Sequence, residues 1–439
     1  MDGMTGRILA LAGMMPPLVF PRSLQISRLL KALNASGWES TVITRLPESL
    51  PQATLDAELA ILYEGGYRSL SIDTREDVQA SPVPRRLWRK IRPVTDIDDD
   101  NWRLRAYSTL RKEAASGSYD VLVTFAQPWI NHRIGLRLKR RNRTLPWIAH
   151  FSDPWFDSPY AKYADSETAT RVRIAEQQVI EAADAVIFVT ERTADLVMSK
   201  YPASWRDKVH VVPHGYDANL IPHIPVRERA PEVMRIVHTG NFYGLRRPEA
   251  VLAAIARLIG TEQTKLPFLM EFVGGVEEDL RRTTEEMGLA DVVTFSGPAG
   301  YLDSLAAAAS ADLLLLLDAP AEENVFLPSK IVDYFMLKQP VLGITPIRGS
   351  SADVLRRTGC AVVAPDDIAA IASALHEAME AWRLTGSAGP TPLSTEVARY
   401  DIHQIASEFR HVIEAVSARH RSVASANGKS THPTCRASQ

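Results

Sequence analysis

Cysteine is nearly absent: Cys360 and Cys435 are the two in 439 residues, and Cys435 sits in a Ser/Ala/His-rich tail. Two such residues cannot build a disulfide framework, and the usage fits a reducing compartment. No Cys/His cluster with metal-ligand spacing occurs, so the sequence offers no metal centre. No apolar run approaches the roughly 20 residues that a membrane-spanning helix requires. The stretch from Ile8 to Phe20 is apolar, but Pro16-Pro17 interrupts it and Arg7 is the only basic residue upstream. It reads as a buried first strand entering a loop, not as a leader peptide. An excess of one charge is also missing. Lys and Arg number 50 against 52 Asp and Glu, which gives no electrostatic case for a nucleic-acid partner. What is present is a chain of ordinary apolar content, 46%, long enough for two domains or three.

The most informative stretch runs from Leu327 to Leu342. Before it, Asp312 is followed by five leucines, too short for a span and right for a strand buried on both faces. After it, Pro340-Val-Leu-Gly-Ile reads as the next strand. Between them Ser329 is placed to cap a short helix whose Ile331, Tyr334 and Phe335 share one face. Strand, loop, helix, strand is a βαβ unit, and its loop lies at the carboxyl edge of a parallel sheet, where such sheets bind ligands. A helix N-terminus there offers N–H donors to a phosphate, and Lys330 adds a full charge. Asp333, one turn in, is placed to accept from a ribose hydroxyl.

The same alternation continues along the chain. Arg7 to Gly13 reads as strand, loop and then a helix carrying Ile26, Leu29, Leu30 and Leu33, followed by a strand from Ser40. Gly13 and Arg22 are candidates for substrate contact, against the plainer reading of a strand-to-helix connection. Between 82 and 93 a basic run interleaves Leu87, Trp88 and Ile91. It can lie on an anionic membrane surface or form a solvated face. The acidic residues from Asp96 to Asp100 read as a loop. Tyr119 to Phe125 is a strand, and the helix after it ends in a basic run from Arg137 to Arg143. The next strand ends in the polar tip His150-Phe-Ser-Asp153-Pro-Trp155. His150 and His132 are each a ligand contact or a satisfied structural histidine. A second half opens at Met234 with strand, the loop Gly240-Asn241 to Arg246-Arg247, and a helix over Val251 to Leu258. Two glycines and two adjacent arginines there suit a diphosphate, with Arg247, nearer the helix, the stronger candidate. A helix over Tyr400 to Val416 follows the last strand, and no structure is predicted from Ala418 onward.

Pro328-Ser329-Lys330, two residues, then Asp333-Tyr334 resembles the donor-sugar motif of bacterial glycosyltransferases of the GT-B fold, family 4 type. In one branch of that family the motif reads Pro-Ser-Lys, two residues, Glu-Tyr, so Asp333 stands for the Glu. Many members carry another Glu eight residues earlier. Val325 stands there, and Glu322 or Glu323 is the nearest substitute. Val209 to Asp217 resembles the family's strand into the interdomain linker, and Phe295-Ser-Gly297 its "Phe-x-Gly" strand. The resemblance covers residues 7 to 416 in order. It implies an α/β, GT-B protein with two Rossmann-like doubly wound domains facing across a cleft, and a C-terminal helix crossing back to the N-terminal domain. The implied boundaries are an acceptor domain over 1–218 completed by helix 395–417, a nucleotide-sugar domain over 219–394, and a tail over 418–439. The implied activity is retaining, metal-independent sugar transfer from a nucleotide-diphosphate sugar to an acceptor hydroxyl, in cell-envelope or exopolysaccharide synthesis. A GT-B nucleotide-sugar epimerase and a non-catalytic nucleotide-sugar-binding relative are the alternatives.

By the same resemblance Asp153 positions or deprotonates the acceptor, while Arg247 and Lys330 hold the departing diphosphate. Gly13, His150, Gly240, Asn241, Arg246, Ser329 and Asp333 bind substrate, with Ser296, Gly297 and Pro298 against the base. No cofactor is implied beyond the donor itself. The partners are a nucleotide sugar and a glycan, lipid-linked or small-molecule acceptor, with no nucleic acid. The implied location is the cytoplasm, with peripheral contact on the inner membrane face through 85–92 as a further expectation.

Overall fold

The structure is a computed structural model, and it describes residues 6–50, 54–75, 100–159, 161, 163, 165–228, 230–242, 244–260 and 267–429. The basic segment at 85–92, Asp96 to Asp99 and the last ten residues lie outside these. Two compact units emerge, Met1–Pro213 with Ile405–Gln439, and His214–Gln404.

The first unit is built on a parallel sheet of β1 (Gly6–Leu11), β2 (Trp38–Arg45), β3 (Arg68–Ile72), β4 (Val121–Phe125), β5 (Trp147–Phe151), β6 (Ala185–Phe188) and β7 (Val209–Val211). Their spatial order is β3-β2-β1-β4-β5-β6-β7. The second unit holds β8 (Met234–Thr239), β9 (Phe268–Val273), β10 (Val293–Gly297), β11 (Leu313–Leu317), β12 (Val341–Ile344) and β13 (Ala361–Val363). Here the order is β10-β9-β8-β11-β12-β13. Every described pair in both sheets is parallel. Each sheet reverses its winding once, between β1 and β4 and between β8 and β11. Those reversals open a crevice at the carboxyl ends of the flanking strands, the place where open α/β sheets take ligands.

The five leucines of β11 are all buried, and they serve two cores: Leu313, Leu315 and Leu317 face one, Leu314 and Leu316 the other. Alternate side chains of a strand face opposite ways, so a doubly covered strand must be apolar throughout. Each Leu contributes roughly 1.5–3 kcal/mol by burial. The helix Lys330–Leu337 covers one face with Ile331, Tyr334 and Phe335 fully buried. It ends at Lys338, a non-glycine in the left-handed region at φ 56°.

Several local expectations change. Ser329 precedes the helix but its side chain makes no capping bond, because its backbone is already helical at φ −58°, ψ −30°. A capping side chain reaches back only from an extended residue. The first helix starts at Pro21, before Ser23, whose hydroxyl instead donates to the Leu18 and Phe20 carbonyls. Asp100–Ala115 is a helix, not a continuation of the acidic loop, and it buries Trp102 beneath an Asn131 acceptor at 3.0 Å.

The predicted helix at 395–417 is two elements. Ser394–Val397 and Tyr400 belong to the second unit, where Val397 and Tyr400 join its core. The long helix Ile402–Lys429 passes to the first unit from Ile405. It buries Ile405, Phe409, Val412, Ile413 and Val416, a spacing of one helical face. It continues past residue 418, where a structureless tail is expected. His420 bonds Asp184 at 2.9 Å, and no proline interrupts the Ala- and Arg-containing sequence.

Candidate functional site

The crevice beside β8 and β11 gathers charge. Lys330 starts its helix and points its ammonium back toward β8. The His238 imidazole, fully buried, holds Nδ1 2.9 Å from the Leu315 carbonyl and Nε2 3.3 Å from Lys330 Nζ. A carbonyl only accepts, so Nδ1 carries the proton and Nε2 accepts from Lys330. Burial, and then the Lys330 charge, keep His238 well below the ordinary histidine pKa. The ring is a fixed neutral acceptor that aims the ammonium. Sequence reasoning passed over it, because one histidine inside an apolar strand carries no signal of its own.

Gly240 makes room for this arrangement. It sits at φ +117°, and a Cβ there would lie 2.5 Å from Lys330 Nζ. A side chain would therefore evict the lysine as well as strain the backbone. Asn241 Oδ1 accepts from Gly275 N at 2.7 Å, and Phe242 N donates to Gly275 O at 3.2 Å, so the loops after β8 and β9 are tied together. Thr239 N donates to the Tyr334 hydroxyl at 3.0 Å, tying β8 to the Lys330 helix.

The two arginines separate. Arg246 places Nη2 3.4 Å from Asp318, on the loop after β11, and its charge acts on Lys330. Asp318 is oriented by Asn324 at 2.9 Å and Thr345 at 2.8 Å. Arg247, favoured from sequence, turns outward to Glu249, Glu277 and Asp279 at 2.5, 2.8 and 2.6 Å. Three acidic side chains saturate its fork, so the guanidinium that faces Lys330 is the one farther from the helix. Lys330 has no carboxylate in ion-pair range among the described residues. Its pKa is lowered to about 7, by burial first and by Arg246 second, with Asp318 opposing. A buried ammonium beside a guanidinium, bonded to one neutral ring, is an arrangement that an anion would stabilise.

Asp333 is buried and accepts from the Tyr301 hydroxyl at 3.2 Å. Gly297 ends β10 at φ +77°, and Pro298 beside it is exposed. The Ser296 hydroxyl donates to Glu271 at 2.6 Å, within a cluster that Glu271 forms with Arg227 and Arg235. That engagement directs Ser296 toward the middle of β9, away from its carboxyl end. Val325 is buried, while Glu322 and Glu323 are exposed.

The first unit has a smaller polar group at its own winding reversal. Asp153, in the tip after β5, accepts from Ser152 at 2.6 Å and from Gln127 at 3.4 Å. Burial raises its pKa, against those bonds and the charge of Arg22. Arg22 is buried, with Nη1 on Gln25 at 2.8 Å and Nη2 on His150 Nδ1 at 3.2 Å. Desolvation lowers its pKa to about 10. Asp153, Arg22 and His150 are thus brought together. Gly13 is not exposed to this group: it is buried, and a Cβ would press on Pro128 at 3.1 Å. His132 is structural. Its Nδ1 lies 2.8 Å from Thr124, which also accepts from Trp147 at 2.9 Å, and burial lowers its pKa to about 3. The tip itself is held by Glu176, fully buried, which accepts from Phe156 N at 2.8 Å and Tyr201 at 2.7 Å and pairs with Lys200 at 2.9 Å.

Among the described residues no group of three or more His, Cys, Asp or Glu is placed to hold a metal ion. No described helix is long and apolar enough to cross a membrane.

Comparison with known proteins connects both units to one kind of fold. Residues 23–215 match the family profile of the glycosyl transferase 4-like domain. Relatives include D-inositol 3-phosphate glycosyltransferases of Streptomyces avermitilis, 29% identical over 42% of this chain and 42% of that protein, and of Actinosynnema mirum, 30% identical over 44% and 49%. The chain thus matches under half the length of these curated relatives. Sucrose-phosphate synthase from Thermosynechococcus elongatus superposes with a TM-score of 0.65 at 16% identity, over 94% of this chain and 100% of that one. A glycosyltransferase from Rickettsia africae gives 0.65 at 10% identity, over 94% and 99%. At these identities the likeness to the solved structures is one of fold.

Proposed function

We propose, for a chain that carries a glycosyl transferase 4-like domain within a GT-B fold, that it moves a sugar from a nucleotide-diphosphate sugar to an acceptor hydroxyl. The observation that carries this reading is the pairing of Lys330 and Arg246 at the β8/β11 reversal. There, among the described residues, a buried ammonium has no carboxylate in ion-pair range, and Gly240 leaves space beside it. That arrangement suits a group whose negative charge grows during reaction.

In the proposed step the bond from the anomeric carbon to the diphosphate oxygen breaks, and its electron pair stays on the diphosphate. Lys330 and Arg246 stabilise that charge with fixed donors, in a site where little water screens them. Diphosphate binding keeps Lys330 protonated, and His238 keeps its ammonium in place. A bond forms from the acceptor oxygen to the same carbon, with retention of configuration, and the acceptor proton passes to Asp153. Burial raises the Asp153 pKa, which makes it a better base than an ordinary carboxylate once ionised. Arg22 balances its charge. This chemistry asks for no metal, because the two cations supply the electrostatic stabilisation. The D-inositol 3-phosphate glycosyltransferases among the relatives point to a polyol-phosphate acceptor, and synthesis of envelope or extracellular polysaccharide is the setting we favour.

The experiment is a transfer assay over a panel of nucleotide sugars and acceptors, with Lys330→Ala and Arg246→Ala as controls. Sugar transfer abolished by both changes supports the reading. Turnover undiminished in both refutes the site, and epimerised sugar formed without acceptor refutes the reaction class.

A further inference from the structure

In the first unit, three helices frame a pocket of about 350 Å³. Its lining includes Arg103 and Tyr107 from the helix Asp100–Ala115, Gln178 from Ser166–Ala182, and Arg133, Arg137, Arg140 and Arg141 from the helix Ile130–Lys139 and its end. Among the described residues, five arginines line it and no carboxylate does. The chain as a whole is nearly neutral, so this is a local concentration of charge. Basic residues at a helix C-terminus are favoured by its dipole, which accounts for one or two of them. It does not account for Arg103, which comes from a second helix.

Two further observations separate this pocket from an ordinary solvated surface. Several exposed arginines elsewhere in the described structure, Arg68, Arg171, Arg206 and Arg383 among them, pair with a Glu or Asp. Arg137, Arg140 and Arg141 have no ion-pair partner among the described residues. Arg137 instead lies over the Tyr107 ring at 4.0 Å, with Arg141 at 5.9 Å. Tyr107 is 6% exposed, and its hydroxyl has no hydrogen-bond partner among the described residues. A buried donor without an acceptor is costly, and ligand binding is a common reason for one.

We propose that this pocket is a second anion site that takes a ligand bearing clustered phosphate groups, with Arg137 and Arg141 as its main contacts and Tyr107 as a neutral donor. Guanidinium forks bind phosphate oxygens in pairs, which single lysines do not. The phosphates belong either to a soluble phosphorylated molecule or to a lipid headgroup. The site is independent of the donor-binding reading, since no residue is shared.

The test titrates the full chain with pyrophosphate by calorimetry and, in parallel, sediments it with phosphatidylcholine vesicles with and without phosphatidic acid. Lys330→Met removes the donor site, so pyrophosphate binding that remains in this variant reports the second one. Adding Arg137→Gln and Arg141→Gln is expected to weaken the remaining binding at least tenfold, with an unchanged melting temperature. Loss of pyrophosphate binding assigns a soluble ligand, and loss of vesicle binding alone assigns a lipid source. Binding unaltered by the two arginine changes, or no binding of either probe to the Lys330→Met protein, overturns the proposal.

Discussion

The pH dependence of diphosphate binding tests the Lys330 site most sharply. Empty, the site holds Lys330 at a pKa of about 7, lowered by burial and by Arg246. The diphosphate needs the ammonium charged. A group whose pKa in the free protein is lowered to that value is half charged at neutrality and loses about tenfold of its charged fraction per pH unit above it. Between pH 7 and pH 9 the apparent affinity for a nucleoside diphosphate should fall about fiftyfold, on the order of 2 kcal/mol. The fall flattens once pH exceeds the higher pKa of the bound state. Phosphate's own second ionisation near pH 6 lies below this window, so it does not produce the slope. Calorimetric titration of UDP and GDP in buffers of differing ionisation heat measures affinity and proton uptake together. Wild type should take up close to one proton per ligand near pH 8. Lys330→Arg, charged throughout, should bind with no such slope. A flat wild-type profile, or equal slopes in both proteins, refutes the reasoning.

Other consequences follow from the same geometry. Arg246→Ala should lower kcat/KM at least tenfold, while Arg247→Ala, whose guanidinium is spent on Glu249, Glu277 and Asp279, should stay within about threefold by the modest worth of exposed ion pairs. Gly240→Ala puts a methyl on the Lys330 ammonium at a positive φ. It should cost about 1–3 kcal/mol of stability, read by urea unfolding, and abolish detectable UDP or GDP binding. Asp153→Asn should cut transfer by about 100-fold or more while leaving nucleotide affinity, measured by calorimetry, unchanged. Glu176→Ala strips the buried acceptor from Tyr201, Phe156 N and Lys200, and should destabilise the chain by about 3 kcal/mol in urea unfolding.

Much of the fold was readable because its signals are local. Five consecutive leucines, a Ser-Lys turn and a second short strand specify a buried βαβ unit whatever lies around them. Lys330 and the loop from Gly240 to Arg247 were singled out the same way, from charge and glycine placed after strands. What sequence could not supply is direction. Arg246 and Arg247 are adjacent and chemically identical, and their roles are divided by acidic residues about 30 positions away, Glu277 and Asp279. Proximity to the helix does not reveal which of the two meets these acidic partners. His238 reads as one more residue of a strand, and only the Leu315 carbonyl on β11 reveals its tautomer and purpose. Ser296 was legible as part of a motif, but Glu271 on the neighbouring strand decides where its hydroxyl goes. The extension of the last helix to Lys429 was hidden because its composition alone resembles a tail, and its anchor on Asp184 is 236 residues away.

The central claim is that Lys330 and Arg246 converge on one diphosphate. A structure of the protein with a bound nucleoside diphosphate measures this directly. The account predicts phosphate oxygens about 2.7–3.1 Å from both the Lys330 ammonium and the Arg246 guanidinium, with His238 still behind the lysine. A diphosphate held by Arg247, or bound with the Lys330 ammonium facing elsewhere, contradicts it.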